Sequence, residues 1–177
     1  LNKHLNNILK TDEDYVIASD TDSVYLTLDK LVTKTIKSDN ALSKTINFLD
    51  KVASESIEPY ITKSYDELKQ YTNAFANKMF MKREVIADKG IWTAKKRYIL
   101  NVHDNEGVRL EEPKLKLMGI ETAKSSTPLW VRRRLEKGLE IVMRGTEQEL
   151  WDFVETSRKE FRELPVSYTH LTLPTRD

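Results

Sequence analysis

The sequence predicts an α+β fold, an antiparallel sheet with packed helices followed by a helical segment. Apolar, β-branched runs bounded by polar turns recur through the first 120 residues, as strands do. Stripes of helical period, with start and stop signals, fill residues 39–71 and 127–164.

Leu1, Leu5, Ile8 and Leu9 have helical spacing, and Thr11–Asp14 is a polar turn. Tyr15–Ala18 and Val24–Leu28 read as the strands of a β-hairpin around a polar tip, Ser19–Ser23. No Asn-Gly or Asp-Gly sets the turn type. Asp39-Asn40 can cap a helix to about Glu58, with Leu42, Ile46, Leu49, Ala53 and Ile57 as its stripe. Pro59 interrupts it, and Ile61, Tyr65 and Leu68 continue the pattern to about Tyr71. Met79–Ala87 and Ile91–Val102 read as two longer strands joined by Asp88-Lys89-Gly90. Asp104–Gly107 is a turn, and the extended stretch Val108–Ile120, with Pro113, suits an edge strand or a connector. Thr127 as N-cap with Pro128 at the first position opens a helix that stops at Gly145. Val131, Leu135, Leu139 and Val142 are its stripe. Thr146–Glu149 has capping-box spacing and opens the next helix, lined by Leu150, Val154, Phe161 and Leu164.

These elements divide the 177 residues into an α+β part, 1–120, and a helical part, 121–165. The chain opens with Leu1 inside a helical pattern, which predicts a piece of something longer. Val166–Asp177 breaks the charge-dense helical pattern and resembles a translated sequencing-library adapter, so it is expected to be a non-native tail without a role. The absence of cysteine excludes disulfides and thiolate metal sites. No apolar run approaches the roughly 18 residues of a membrane span, so no membrane partner is expected. With 29 basic and 28 acidic residues, only the distribution of charge is informative.

Asp20 and Asp22 are the strongest chemical signal. If the backbone stays extended, residues two apart point the same way. Nearby carboxylates repel, and a hard divalent cation with oxygen ligands relieves that cost. The plain alternative is a polar turn, where Asp, Ser and Thr are common. On the strand Met79–Ala87, Glu84 and Lys82 share a face with apolar neighbours, as a salt pair or as an added site carboxylate. Lys96 is the lone charge on a face with Trp92, Ala94, Tyr98, Leu100 and Val102, and needs an anionic partner or a route to solvent. Lys95 and Arg97 occupy the other face. The cluster is either a solvated basic strand or a set of phosphate contacts. Lys114 and Lys116 share a face of the third strand. Ser125, Ser126 and Thr127 open a helix whose N-terminus caps itself, binds phosphate, or does both.

S-D-T-D-S-V-Y between two strands resembles the C motif of family B DNA polymerases, usually seen as Y-G-D-T-D-S. Phe80–Ala87, Trp92–Tyr98 and Glu112–Pro128 resemble further motifs of one branch, the replicative polymerases of T-even-like bacteriophages. The resemblance extends in order over residues 1–165 and implies the C-terminal part of a polymerase palm, then the start of the thumb. It implies Asp22 as the aspartate that holds two magnesium ions, Asp20 as its neighbour, and Glu84 as an auxiliary carboxylate. Lys95, Lys96, Arg97 and Tyr98 would grip the primer strand, and Lys114, Lys116 and Ser125–Thr127 the duplex backbone. The implied partners are primer-template DNA, deoxynucleoside triphosphates and, through residues beyond this chain, a sliding clamp. The implied location is the cytoplasm of an infected bacterium.

Ala18 and Ser19 depart from the usual Tyr-Gly, and Lys82 stands where this branch usually has an acid. The first palm aspartate, the fingers and the exonuclease are missing, so these residues alone are expected to be inactive. The alternative is a non-catalytic module that binds the DNA backbone. A D-x-D nucleotide-sugar transferase lacks a partner nucleotide-binding pattern here.

Overall fold

In the computed structural model, residues 1–36, 42–120, 122 and 126–165 are described. Helix α1, Asn2–Leu9, buries Leu5 and ends at Lys10 in a left-handed conformation. Leu5, Tyr15 and Ile57 form a buried cluster, with Leu1, Leu9, Leu26, Leu28, Val52 and Ile61 packed around it. The loop after α1 is tied back by side-chain amides. Asn6 donates to the Glu13 carbonyl and accepts from the Glu13 N–H, both at 2.9 Å. Its oxygen also accepts from the Thr11 hydroxyl. Asn2 accepts from the Val16 N–H at 2.8 Å, where the next strand begins. Asn6→Ala is expected to cost about 1–3 kcal/mol, because both Glu13 backbone groups lose their partner. A lower urea midpoint at unchanged m-value would show it.

Strands β1, Val16–Asp20, and β2, Ser23–Leu26, pair antiparallel. Helix α2, Asp29–Thr35, has no counterpart in the sequence reading. Helix α3, Leu42–Val52, begins after the expected Asp39-Asn40 cap, which lies outside the described residues. Pro59 does not interrupt the helix that follows. A π-helical segment, Ala53–Ile57, joins α3 directly to α4, Glu58–Tyr71. Proline lacks an N–H and crowds the carbonyl four residues back, and a wider turn ahead of it absorbs both effects.

Strands β3, Val85–Ala94, β4, Arg97–Asn105, and β5, Val108–Met118, form a three-stranded sheet in that order. Two-residue connections make it antiparallel. The turn expected at Asp88-Lys89-Gly90 is instead the middle of β3. Gly90 serves close packing: a Cβ there would lie 2.7 Å from the Trp92 ring and 2.9 Å from Leu100. The actual turn is Lys95-Lys96, and Lys96 adopts φ 61°. Central strand β4 is buried from Tyr98 to Asp104. Edge strand β5 carries Pro113, as expected.

Helix α5, Leu129–Arg144, starts with Pro128 as its N-cap residue and has no side-chain cap, so Thr127 does not play the expected part. Helix α6, Glu147–Glu163, has the expected capping box between Thr146 and Glu149. The two helices meet where Phe153 lies 3.4 Å from a Cβ built on Gly138 and where Trp130 faces Phe161 at 5.4 Å. Arg134 lies over Trp130 and pairs with Glu160. The C-terminal end of α5 is fixed by polar groups: Lys89 donates to the Met143 carbonyl at 2.8 Å, and Arg144 donates to Asn101 and to the Pro113 carbonyl. Asn101 in turn donates to Asp88 at 2.8 Å.

By its contacts the chain forms two units, 1–86 with 103–112, and 87–102 with 113–177. The class is α+β, as the sequence predicts.

Candidate functional site

The β1–β2 hairpin is tighter than its sequence suggests. Asp20 pairs with Ser23, so Thr21-Asp22 is a two-residue turn. Neither turn residue has positive φ, so the turn is not of the primed types that usually close such hairpins. An irregularity between Val16 and Ala18 places Ile17 as an extra residue in β1 and resets the side-chain alternation toward the tip. The extended backbone that would align Asp20 with Asp22 is therefore absent: Asp20 ends a strand, and Asp22 sits in the turn. Asp20 is half-buried, and its Oδ1 accepts from the Thr21 N–H at 2.9 Å and the Thr21 hydroxyl at 3.2 Å. Asp22 is exposed.

These two carboxylates offer hard oxygen donors, which suit magnesium. Among the described residues, no three His, Asp or Glu side chains converge as a metal site would require.

Glu84 does not lie on a strand, because β3 starts one residue later. The β1–β2 pair and the three-stranded sheet are separate sheets, so no ladder sets Glu84 opposite the aspartates. Glu84 is exposed beside a cavity of about 260 Å³ lined with Lys82, Arg83 and Glu106, and its carbonyl accepts from the Glu106 N–H at 2.6 Å.

Behind that cavity is an ionic cluster that sequence reasoning missed. Asp104 is fully buried and pairs with both Arg83 and Arg109. Arg83 reaches Asp50 at 2.7 Å, and Arg109 reaches Asp50 at 3.3 Å and Asn47 at 3.1 Å. Glu58 accepts from the Arg83 N–H at 2.8 Å. Burial pushes the Asp104 carboxyl up. The Gly107 N–H at 3.0 Å and the two guanidinium groups outweigh burial and hold it below the usual carboxylate range. Glu106 and Gly107 both have positive φ, which turns the Gly107 N–H toward Asp104.

Within the Lys95–Tyr98 motif, Lys95 and Lys96 form the hairpin turn, and Arg97 and Tyr98 begin β4. Lys95 and Lys96 are exposed at the tip, so Lys96 is not the buried lone charge that strand spacing predicts. Tyr98 is buried, with its ring 6.3 Å from that of Trp92. Lys114 is exposed and Lys116 half-buried on β5. Ser126 and Thr127 precede α5, and the Thr127 carbonyl accepts from Arg132 at 3.2 Å. Ser125 lies outside the described residues.

No protein-family model matches the chain. The DNA-directed DNA polymerase of Enterobacteria phage T4 is 38% identical to it over 177 aligned positions, which take in 93% of this chain and 19% of the relative. That of Escherichia phage RB69 is 42% identical over 174 positions, with the same coverage. Similarity of this extent reflects common descent: the chain is homologous to one segment of the phage DNA-directed DNA polymerases and spans about 19% of their length.

Proposed function

We propose that this chain is the metal-bearing and duplex-gripping part of a template-directed DNA polymerase, with palm residues up to about 120 and the start of the thumb after them. The supporting observation is that two hairpin tips bear Asp20–Asp22 and Lys95–Lys96 in a chain 38–42% identical to such polymerases. Magnesium, when bound, neutralises charge on the transferring phosphoryl group. Exposed Asp22 would offer it carboxylate oxygens, and Asp20, tied to Thr21, would stiffen the tip and add a second donor. Glu84, exposed beside the cavity with Lys82 and Glu106, would act as an auxiliary site carboxylate in the assembled polymerase.

Lys95, Lys96, Lys114 and Lys116 would meet phosphates, which positions a duplex without reading its sequence. A polymerase must accept every correct pair, so such contacts suit its task. The substrates would be primer-template DNA and deoxynucleoside triphosphates, in an infected bacterial cytoplasm. No helix among the described residues is long and apolar enough to cross a membrane. Two carboxylates do not complete a two-metal cage, so the 177 residues alone are expected not to incorporate nucleotides.

A second reading is a DNA-backbone module in which the aspartates are turn residues, as the hydrogen bonds from Thr21 to Asp20 at the hairpin tip would serve. Lys96→Ala is expected to weaken duplex binding on all sequences alike and to reduce the salt slope of log K by about one. Anisotropy titrations at several salt concentrations measure this, and an unchanged slope would count against the phosphate role.

A further inference from the structure

Arg97 belongs to the basic motif, yet its geometry differs from that of its neighbours. Its Nε donates to the Gly119 carbonyl at 2.9 Å, just past the end of β5. Gly119 itself has φ 64°. A Cβ on Gly119 would overlap the Lys96 carbonyl oxygen and lie 3.1 Å from the Arg97 Cγ. The backbone after β5 is therefore pressed against the Lys95-Lys96 turn, and only glycine permits that approach. Lys96 is held at φ 61°, which a lysine adopts at a cost and keeps only where its surroundings impose it. The Arg97–Gly119 bond is one such constraint.

We propose that Arg97 is a positioning residue: through the Gly119 carbonyl it fixes the turn that presents Lys95 and Lys96 to a DNA backbone, and it makes no phosphate contact of its own. This rests on the DNA-binding reading above. It assigns Gly119, a residue without charge or side chain, to the same task.

The test is anisotropy of a labelled primer-template duplex with the 177-residue chain between 50 and 200 mM salt, with far-UV circular dichroism as the check on folding. Gly119→Ala changes no charge, but it is expected to weaken binding about tenfold, the scale of one lost hydrogen bond to a charged group, and to lower the salt slope. Adding Lys96→Ala to it should then cost little more. Arg97→Lys keeps the charge but not the guanidinium geometry, and a similar loss is expected. Should Gly119→Ala fail to fold, Arg97→Lys decides alone. The proposal is overturned if Arg97→Lys binds like wild type while Arg97→Ala lowers the slope by about one, as a direct phosphate contact would. Wild-type behaviour of folded Gly119→Ala overturns it as well. If the unaltered chain shows no salt-dependent duplex binding, the DNA-binding reading falls, and this inference falls with it.

Discussion

Asp22→Ala, in a polymerase that carries this segment, is expected to abolish nucleotide incorporation and to leave primer-template affinity largely unchanged. Asp22 is exposed in a two-residue turn, so its removal leaves no cavity and no orphaned partner in the core. Its cost should appear in chemistry and not in folding. Loss of a group that merely supports a metal ligand already lowers activity about 10–100-fold, and loss of the ligand should exceed that. Single-turnover incorporation in magnesium, with affinity measured in parallel, separates the two effects. Near-normal incorporation would refute the metal assignment and favour the backbone-binding module.

Asp104→Ala is expected to destabilise the fold by about 3–5 kcal/mol, because it leaves Arg83 and Arg109 in a partly buried cluster with Asp50 as their remaining shared carboxylate. That is a large part of a typical domain's stability. Acid should act through the same group. The folded-state pKa of Asp104 lies below that of the unfolded chain, about 3.9. Its contribution is therefore complete above about pH 4 and is lost as pH falls through the lowered value. Urea unfolding at pH 7 and near pH 3 measures this. Asp104→Asn should lose less stability between the two pH values than wild type does. Equal acid sensitivity would show that Asp104 is not the group being titrated.

The sequence showed what local pattern encodes. The α1 stripe, the aspartate hairpin, the edge strand with Pro113 and the Thr146–Glu149 capping box all follow from residues within a few positions of one another. The β3–β4 turn did not, because Asp88-Lys89-Gly90 has turn composition while Lys95-Lys96 has none. Glycine is permissive, and here its use is to admit the Trp92 ring. That misplaced turn put Lys96 on a strand face and made it look like a stranded charge. The Pro59 break failed because a π turn takes up the lost hydrogen bond. The Asp50–Arg83–Asp104–Arg109 cluster draws on three separate stretches of the chain, and no single one of them signals it. The candidate site was legible as residue types at hairpin tips, but the direction of the two carboxylates depended on a backbone turn that spacing alone does not reveal.

The polar attachment of α5 implies an order of events when the helical hairpin loosens. Its last turn is bound by Lys89, Arg144 and Asn101, whereas its first turns meet mainly the neighbouring helix through Trp130 and Arg134. Peeling should therefore start near Leu129 and stop at Met143, like a flap on a riveted edge. In hydrogen exchange, the amides of residues 141–144 should be protected longer than those of residues 133–137. Lys89→Ala, which removes one rivet at the negative end of the helix dipole, should narrow that difference.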